Sequence, residues 1–144
     1  MEKVVVVVDT REKEPYSFDP SRVEVLRHVL PAGDYSIRGL ENTVAVERKS
    51  LDDFVQTVIR GRERFRKELI ALRTCKSACV VVEGGLDDVL SGCYRSGAHP
   101  NSVLGSAVSI IVDYNIPVFF CSDRQAARLF VEQYLLMLHR KVAR

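Results

Sequence analysis

No stretch of this chain is long and apolar enough to suggest a membrane span. Its longest apolar runs, such as Val4 to Val8, have five residues, against the roughly 20 that a transmembrane helix needs. The N-terminus lacks the apolar core of a signal peptide. These absences lead us to expect a soluble, intracellular protein with no membrane partner. Paired cysteines are missing as well. Cys75, Cys79, Cys93 and Cys121 contain no Cys-x2-Cys spacing, and His28, His99 and His139 occur singly, so a zinc site is not expected and the thiols read as buried and reduced. Neither sign of charge dominates: 21 Lys and Arg against 19 Asp and Glu give +2, and any nucleic-acid signal must come from patterning. There is no internal repeat, low-complexity tract or Pro/Gly/Ser linker. What is present, 144 residues of which 47% are hydrophobic and 28% charged, describes one globular domain over 1–144 with a real core.

The first half reads as strands. Val4 to Val8 is β-branched throughout and ends at Asp9-Thr10-Arg11-Glu12, the pattern of a buried strand delivering charge at its C-terminal end. Val23 to Leu30 has strand character up to the break at Pro31-Ala32-Gly33. Tyr35 to Arg38 and Thr43 to Lys49 form a hairpin about a turn at Gly39 to Asn42. The period then changes. Leu51, Phe54, Val55 and Val58, followed after Gly61 by Phe65, Leu69 and Leu72, predict a helix to about Thr74 that Gly61 kinks or interrupts. Cys79 to Val82 reads as a second buried strand ending in an acid, and 87–95 as a short helix. A helix over 101–114 is capped by Asn101, a strand covers 116–121, and Ser122 with Gln125 predicts a capping box for a last helix to about Arg140. The expected fold is α/β, a mixed central β-sheet flanked by α-helices.

Chemistry concentrates in Glu47-Arg48-Lys49. Side chains alternate on a strand, so Glu47 and Lys49 share a face while Arg48 points the other way. Hairpin pairing can bring the Asp34 carboxylate near Glu47. Two hard oxygen ligands can hold Mg2+ or Mn2+ against a scissile phosphate, and a lysine can orient water or offset developing negative charge. By itself this spacing also suits a solvated hairpin face with a surface ion pair.

A longer pattern surrounds it: Gly33-Asp34, a spacer, Glu47-Arg48-Lys49, three residues, then Asp53. Val8-Asp9-Thr10-Arg11-Glu12, Leu30-Pro31-Ala32-Gly33-Asp34-Tyr35, Gly61-Arg62 and Val82-Glu83-Gly84 follow in register. Together these resemble the XPF/Hef-type structure-specific DNA endonucleases, across nearly the whole chain and most strongly from Val4 to Arg73. The resemblance implies a restriction-endonuclease-like core and Mg2+- or Mn2+-dependent cleavage of flaps, forks or junctions, in DNA repair or recombination. It implies Asp34 and Glu47 as metal ligands, with the Arg48 carbonyl as a possible third, Lys49 as the catalytic lysine and Arg48 in the catalytic set. It also favours Asp9 as a metal ligand, where the alternative is a cap for the following turn. Glu12, Asp53 and Glu83 take supporting places, although an acid in the first turn of a helix is favourable for dipole reasons alone. Arg11 is a candidate phosphate contact.

Between Arg60 and Lys76 seven basic residues face two acidic ones, a local balance of +5. Arg60, Arg62, Arg64, Arg66 and Lys67 are therefore expected to contact DNA phosphates, the competing expectation being a solvated helix face. The last helix carries Leu129, Phe130, Tyr134, Met137 and Leu138, with Val131, Leu135 and Leu136 continuing around it. Since members of the resembled family dimerise through helices in this region, a homodimer or heterodimer is expected there. That family's helix-hairpin-helix and helicase domains have no counterpart in this chain, which suggests an excised domain or a nuclease that takes its targeting from a separate subunit. The alternative to an enzyme is a catalytically silent DNA-binding or scaffold subunit. Such a subunit would be expected to have lost an acid or the lysine, and none is missing.

Overall fold

The computed structural model describes residues 2–143. The elements run β1 (Val4–Val8), β2 (Val23–Arg27), β3 (Tyr35–Ile37), β4 (Val44–Ser50), α1 (Leu51–Ile59), α2 (Arg62–Arg73), β5 (Ser77–Glu83), α3 (Leu86–Leu90), α4 (Pro100–Tyr114), β6 (Val118–Cys121) and α5 (Arg124–Ala143). The strands form one six-stranded sheet in the order β2-β1-β3-β4-β5-β6. β3 is antiparallel to both β1 and β4, and the other neighbouring pairs are parallel. This is the expected mixed sheet. Among the described residues no helix is long and apolar enough to cross a membrane.

Alternation along the strands divides the core in two. Val6, Val8, Tyr35, Ile37, Val44, Val46 and Val81 pack beneath α5, against Ala127, Val131, Leu135 and Leu136. Ala45, Val80 and Val82 face the other way, against Phe54, Val55 and Val58 of α1, Phe65, Leu69 and Leu72 of α2, and Val103, Ala107 and Ile110 of α4. Each face of β4 therefore has its own helical cover, and the pleat decides which cover a charged side chain at its C-terminal end meets.

The helix predicted over residues 51 to 74 is two helices, broken at Arg60-Gly61. Ser50 caps the first, accepting from the Asp53 N–H at 3.2 Å. Elsewhere the boundaries shift. His99 rather than Asn101 caps α4, its ring nitrogen accepting from the Asn101 N–H at 3.1 Å with Pro100 opening the helix. Asp123 rather than Ser122 caps α5, accepting from the Ala126 N–H at 2.8 Å. α3 stops at Leu90, short of the predicted Arg95, and Gly92 follows it with φ of 71°. The broad apolar surface of α5 is mostly consumed within the chain. Val131, Leu135 and Leu136 are buried, Phe130, Tyr134 and Leu138 pack beside them, and Leu129 and Met137 remain exposed.

Candidate active site

Asp34 is placed by its neighbours before its own side chain does anything. Gly33 has φ of 72°, and a Cβ there would lie 2.9 Å from the Val46 carbonyl oxygen, so only glycine lets the chain pass this close to β4. The Asp34 N–H then donates to the Val46 carbonyl at 2.7 Å, and its carbonyl accepts from the Asp9 N–H at 2.9 Å. Its carboxylate Oδ2 accepts from the Arg48 backbone N–H at 2.8 Å. With Tyr35 registered against Val46, the next pair along brings Asp34 alongside Glu47.

Asp34 and Glu47 line one pocket with Asp9, Arg11, Lys67 and Glu68. The Lys49 ammonium lies 3.4 Å from Glu47 Oε2 and 3.8 Å from Glu68 Oε2, with the Phe65 ring 5.4 Å below it. Burial pushes the Glu47 carboxyl well above the ordinary glutamate range, and the negative charges of Asp34 and Glu68 push it further than Lys49 pulls it back. Burial raises Asp34 likewise, against the hydrogen bond from Arg48. Burial alone would lower the Lys49 amine, but Glu47, Glu68 and Asp34 together outweigh it and hold the amine above its usual value.

A buried carboxyl that burial and neighbouring negative charge push upward, as at Glu47, is short of positive charge. Glu68 Oε2 is buried without a hydrogen-bond partner, which fits the same deficit. Among the described residues no three His, Cys, Asp or Glu side chains converge into a ready-made metal cage. The pair Asp34 and Glu47 remains, and Mg2+ is commonly bound by one or two carboxylates with water and substrate phosphate completing its shell. The donor set fits such a cation.

Three expected residues have other work. Asp9 does not stand free as a ligand. Its Oδ1 accepts from the Leu30 N–H at 2.8 Å and Arg11 Nη2 at 3.0 Å, and its Oδ2 from the Arg11 N–H at 3.1 Å and Nε at 2.8 Å. Four hydrogen bonds fill a carboxylate's acceptor capacity, so Asp9 closes the following turn and fixes Arg11 at the pocket rim. The Arg48 side chain lies on the opposite face of β4. Its Nε and Nη2 hold Glu12 at 2.8 and 2.9 Å, and its Nη1 reaches Glu83 at 3.1 Å. Arg48, Glu12 and Glu83 thus support the strand end from behind, and only the Arg48 backbone touches the site. Asp53 also lies apart, in a groove with Asp52, Arg60 and Arg95.

The matching family model is the ERCC4 domain, over residues 8–133. The chain belongs to the ERCC4 domain family. Its fold resembles that of XPF from Aeropyrum pernix, with TM-score 0.73 and 26% identity over 96% of this chain and 67% of that one. The same protein in complex with DNA matches with TM-score 0.74 and 25% identity, over 96% of this chain and 66% of that one. A Methanocaldococcus jannaschii protein provisionally described as an ATP-dependent RNA helicase is 30% identical over 122 residues, 85% of this chain. The chain spans 14% of the length of that relative. The sheet and its helices are therefore a restriction-endonuclease-like core, as the resemblance implied.

In this ERCC4 domain, the helical period deals the basic stretch to different places. Lys67 lines the Asp34–Glu47 pocket, as does Arg11. Arg60 and Arg64 line an adjoining hollow with Lys49 and Glu68. Arg62 and Arg66 turn away into a groove between α2 and α4. Sequence reasoning missed three residues that the ERCC4 fold brings in. Glu68 was counted only as charge within a basic run. Tyr16 donates to Glu83 Oε2 at 2.6 Å from a loop that offered no motif. Arg124 stacks its guanidinium 4.7 Å from the Tyr16 ring centre and donates to the Glu14 carbonyl at 2.7 Å. No local signal marked Tyr16 or Arg124, because their partners lie 67 and 110 residues away.

Proposed function

We propose that this ERCC4 domain is a DNA endonuclease that hydrolyses phosphodiester bonds in branched DNA such as flaps, forks and junctions, with Mg2+ or Mn2+ held by Asp34 and Glu47. The observation that carries this is the meeting, in one pocket, of the half-buried Asp34 carboxylate just before β3 with the buried Glu47 carboxylate of β4, and of an ammonium beside Glu47. Family membership and the likeness to XPF, whose complex with DNA has a closely similar nuclease domain, support the substrate class. A divalent cation bound there would supply Lewis acidity toward the scissile phosphate and its attacking water.

The chain's own residues do the rest. Asp34 is fixed by the Arg48 N–H and Glu47 by its strand, so both carboxylates would be held in place to bind the cation. Lys49 presents an ammonium where negative charge builds on the phosphate, an interaction strengthened by burial. Arg11 and Lys67 at the pocket, with Arg60 and Arg64 in the hollow beside it, are suited to hold flanking phosphates. Arg62 and Arg66 take part only if DNA also follows the groove between α2 and α4.

Copies or relatives of this domain would pair through the C-terminal helices. There Val108, Ile111 and Val112 of α4 and Leu129 and Met137 of α5 stay exposed. The four thiols are free, which suits a reducing intracellular compartment where DNA is handled.

The test is incubation of 5′-labelled fork, flap and linear duplex DNA with Mg2+ or Mn2+, comparing the unaltered chain with Glu47→Ala. The substitution is expected to lower the cleavage rate by about a hundredfold or more with little change in DNA affinity. Cleavage by neither metal, or cleavage that survives Glu47→Ala, would overturn the proposal.

A further inference from the structure

The Glu47-Arg48-Lys49 motif explains where the Lys49 amine starts, not what holds it. Its side chain is only 15% exposed, and two carboxylates face the ammonium: Glu47 Oε2 at 3.4 Å and Glu68 Oε2 at 3.8 Å. Glu47 is also one of the two residues suited to bind the cation. A divalent cation on Glu47 would draw on the same negative charge that faces the ammonium and weaken its pull on Lys49. An ammonium held by Glu47 alone would therefore be held less firmly as the site filled.

Glu68 has no such second duty. It comes from α2, whose Phe65, Leu69 and Leu72 are buried against the sheet. Position 68 is three residues after Phe65 and four before Leu72, so the helix turn carries its carboxylate to the edge of that apolar stripe. There it forms the wall shared by the Asp34–Glu47 pocket and the hollow containing Lys49. Its Oε2 is buried and accepts no hydrogen bond, which leaves the Lys49 ammonium as its charged partner.

We propose that Glu68 is the positioning residue for Lys49, anchoring the ammonium from α2 so that Glu47 is free to bind the cation. The part this plays in catalysis rests on the nuclease reading; the hold itself does not. A carboxylate is needed at this place, and an isosteric amide would keep the shape and lose the charge.

The test pairs two measurements on Glu68→Gln, with Glu68→Ala as a second variant. In the first, the protein without DNA or metal is treated with acetic anhydride, and acetylation of Lys49 is followed by mass spectrometry relative to Lys67 and Lys76. Removing the carboxylate is expected to speed Lys49 labelling about threefold or more. In the second, single-turnover cleavage of fork DNA with Mn2+ is expected to slow about tenfold or more, with DNA affinity unchanged. A purely structural role would move stability or DNA affinity and leave relative Lys49 labelling alone. Unchanged labelling overturns the proposal, and so does an unchanged cleavage rate in a variant whose labelling has risen. If the unaltered chain cleaves no substrate, the nuclease reading falls while faster labelling in Glu68→Gln still establishes the hold on Lys49.

Discussion

Adjacent residues of β4 face opposite electrostatic problems. Glu47 is buried among like charges and titrates high. On the other face, Glu12 is buried too, yet the hydrogen bonds and charge of Arg48, the Glu14 N–H and the Arg124 charge together outweigh that burial and hold it below the ordinary glutamate value of 4.5. A depressed carboxyl contributes stability that is present above its unfolded pKa and is lost as the pH falls through the folded one. Glu12→Gln is therefore expected to lower the unfolding free energy by about 2–4 kcal/mol at pH 7, since it removes the two-pronged partner of a buried guanidinium and leaves it only Glu83. The deficit should shrink steadily as the pH is taken below about 4.5. Urea titrations across pH check this, and a constant deficit would remove Glu12 and Arg48 as the source. The sequence showed Glu12 and Arg48 as charges 36 residues apart. Their pairing depended on which way the β4 pleat turned Arg48, and alternation did predict that direction.

Elements were legible wherever periodicity was strong. Val4–Val8 matched its predicted range, and the apolar stripes of α1 and α2 located both helices with Gly61 at the break. Ends were harder, because a cap is decided by one side chain reaching one N–H. Ser122 and Gln125 have capping-box spacing, but α5 begins at Arg124 and the Asp123 carboxylate takes the Ala126 N–H. Asp123→Ala is expected to cost about 1 kcal/mol, whereas Ser122→Ala should leave the midpoint of thermal unfolding nearly unchanged. The reverse order would restore Ser122 as the cap. Helix α2 shows the same limit from another side. Its basic character was plain in the sequence, but the rotation that sends Lys67 into the pocket and Arg62 and Arg66 into another groove follows from how Phe65, Leu69 and Leu72 seat on the sheet.

At the scale of the molecule, a single sheet separates two tasks: the carboxylate pocket lies on the α2 side, and the Arg48–Glu12–Glu83 network braces the strand ends from the α5 side. β6 ends the sheet between α4 and α5, and on those two helices Val112 is 72% and Met137 59% exposed. If copies of the domain pair there, Val112→Asp and Met137→Asp should each shift sedimentation at tens of micromolar from dimer toward monomer. A chain that sediments as a monomer without substitution would assign those residues no partner of its own kind. The sequence by itself determined the strands and helices, the pairing of Asp34 with Glu47 across a hairpin, and the family, because these rest on periodicity and on motifs of short range. Only the tertiary structure decided that Asp9 spends its oxygens on Arg11 and Leu30, that Asp53 stands apart, and that Glu68 reaches Lys49. Those outcomes depend on the packing of α2 and of the β1–β2 loop against the sheet, and hydrogen-bond and ionic contacts at 3 to 4 Å have no signature in residue spacing once a helix rotation intervenes.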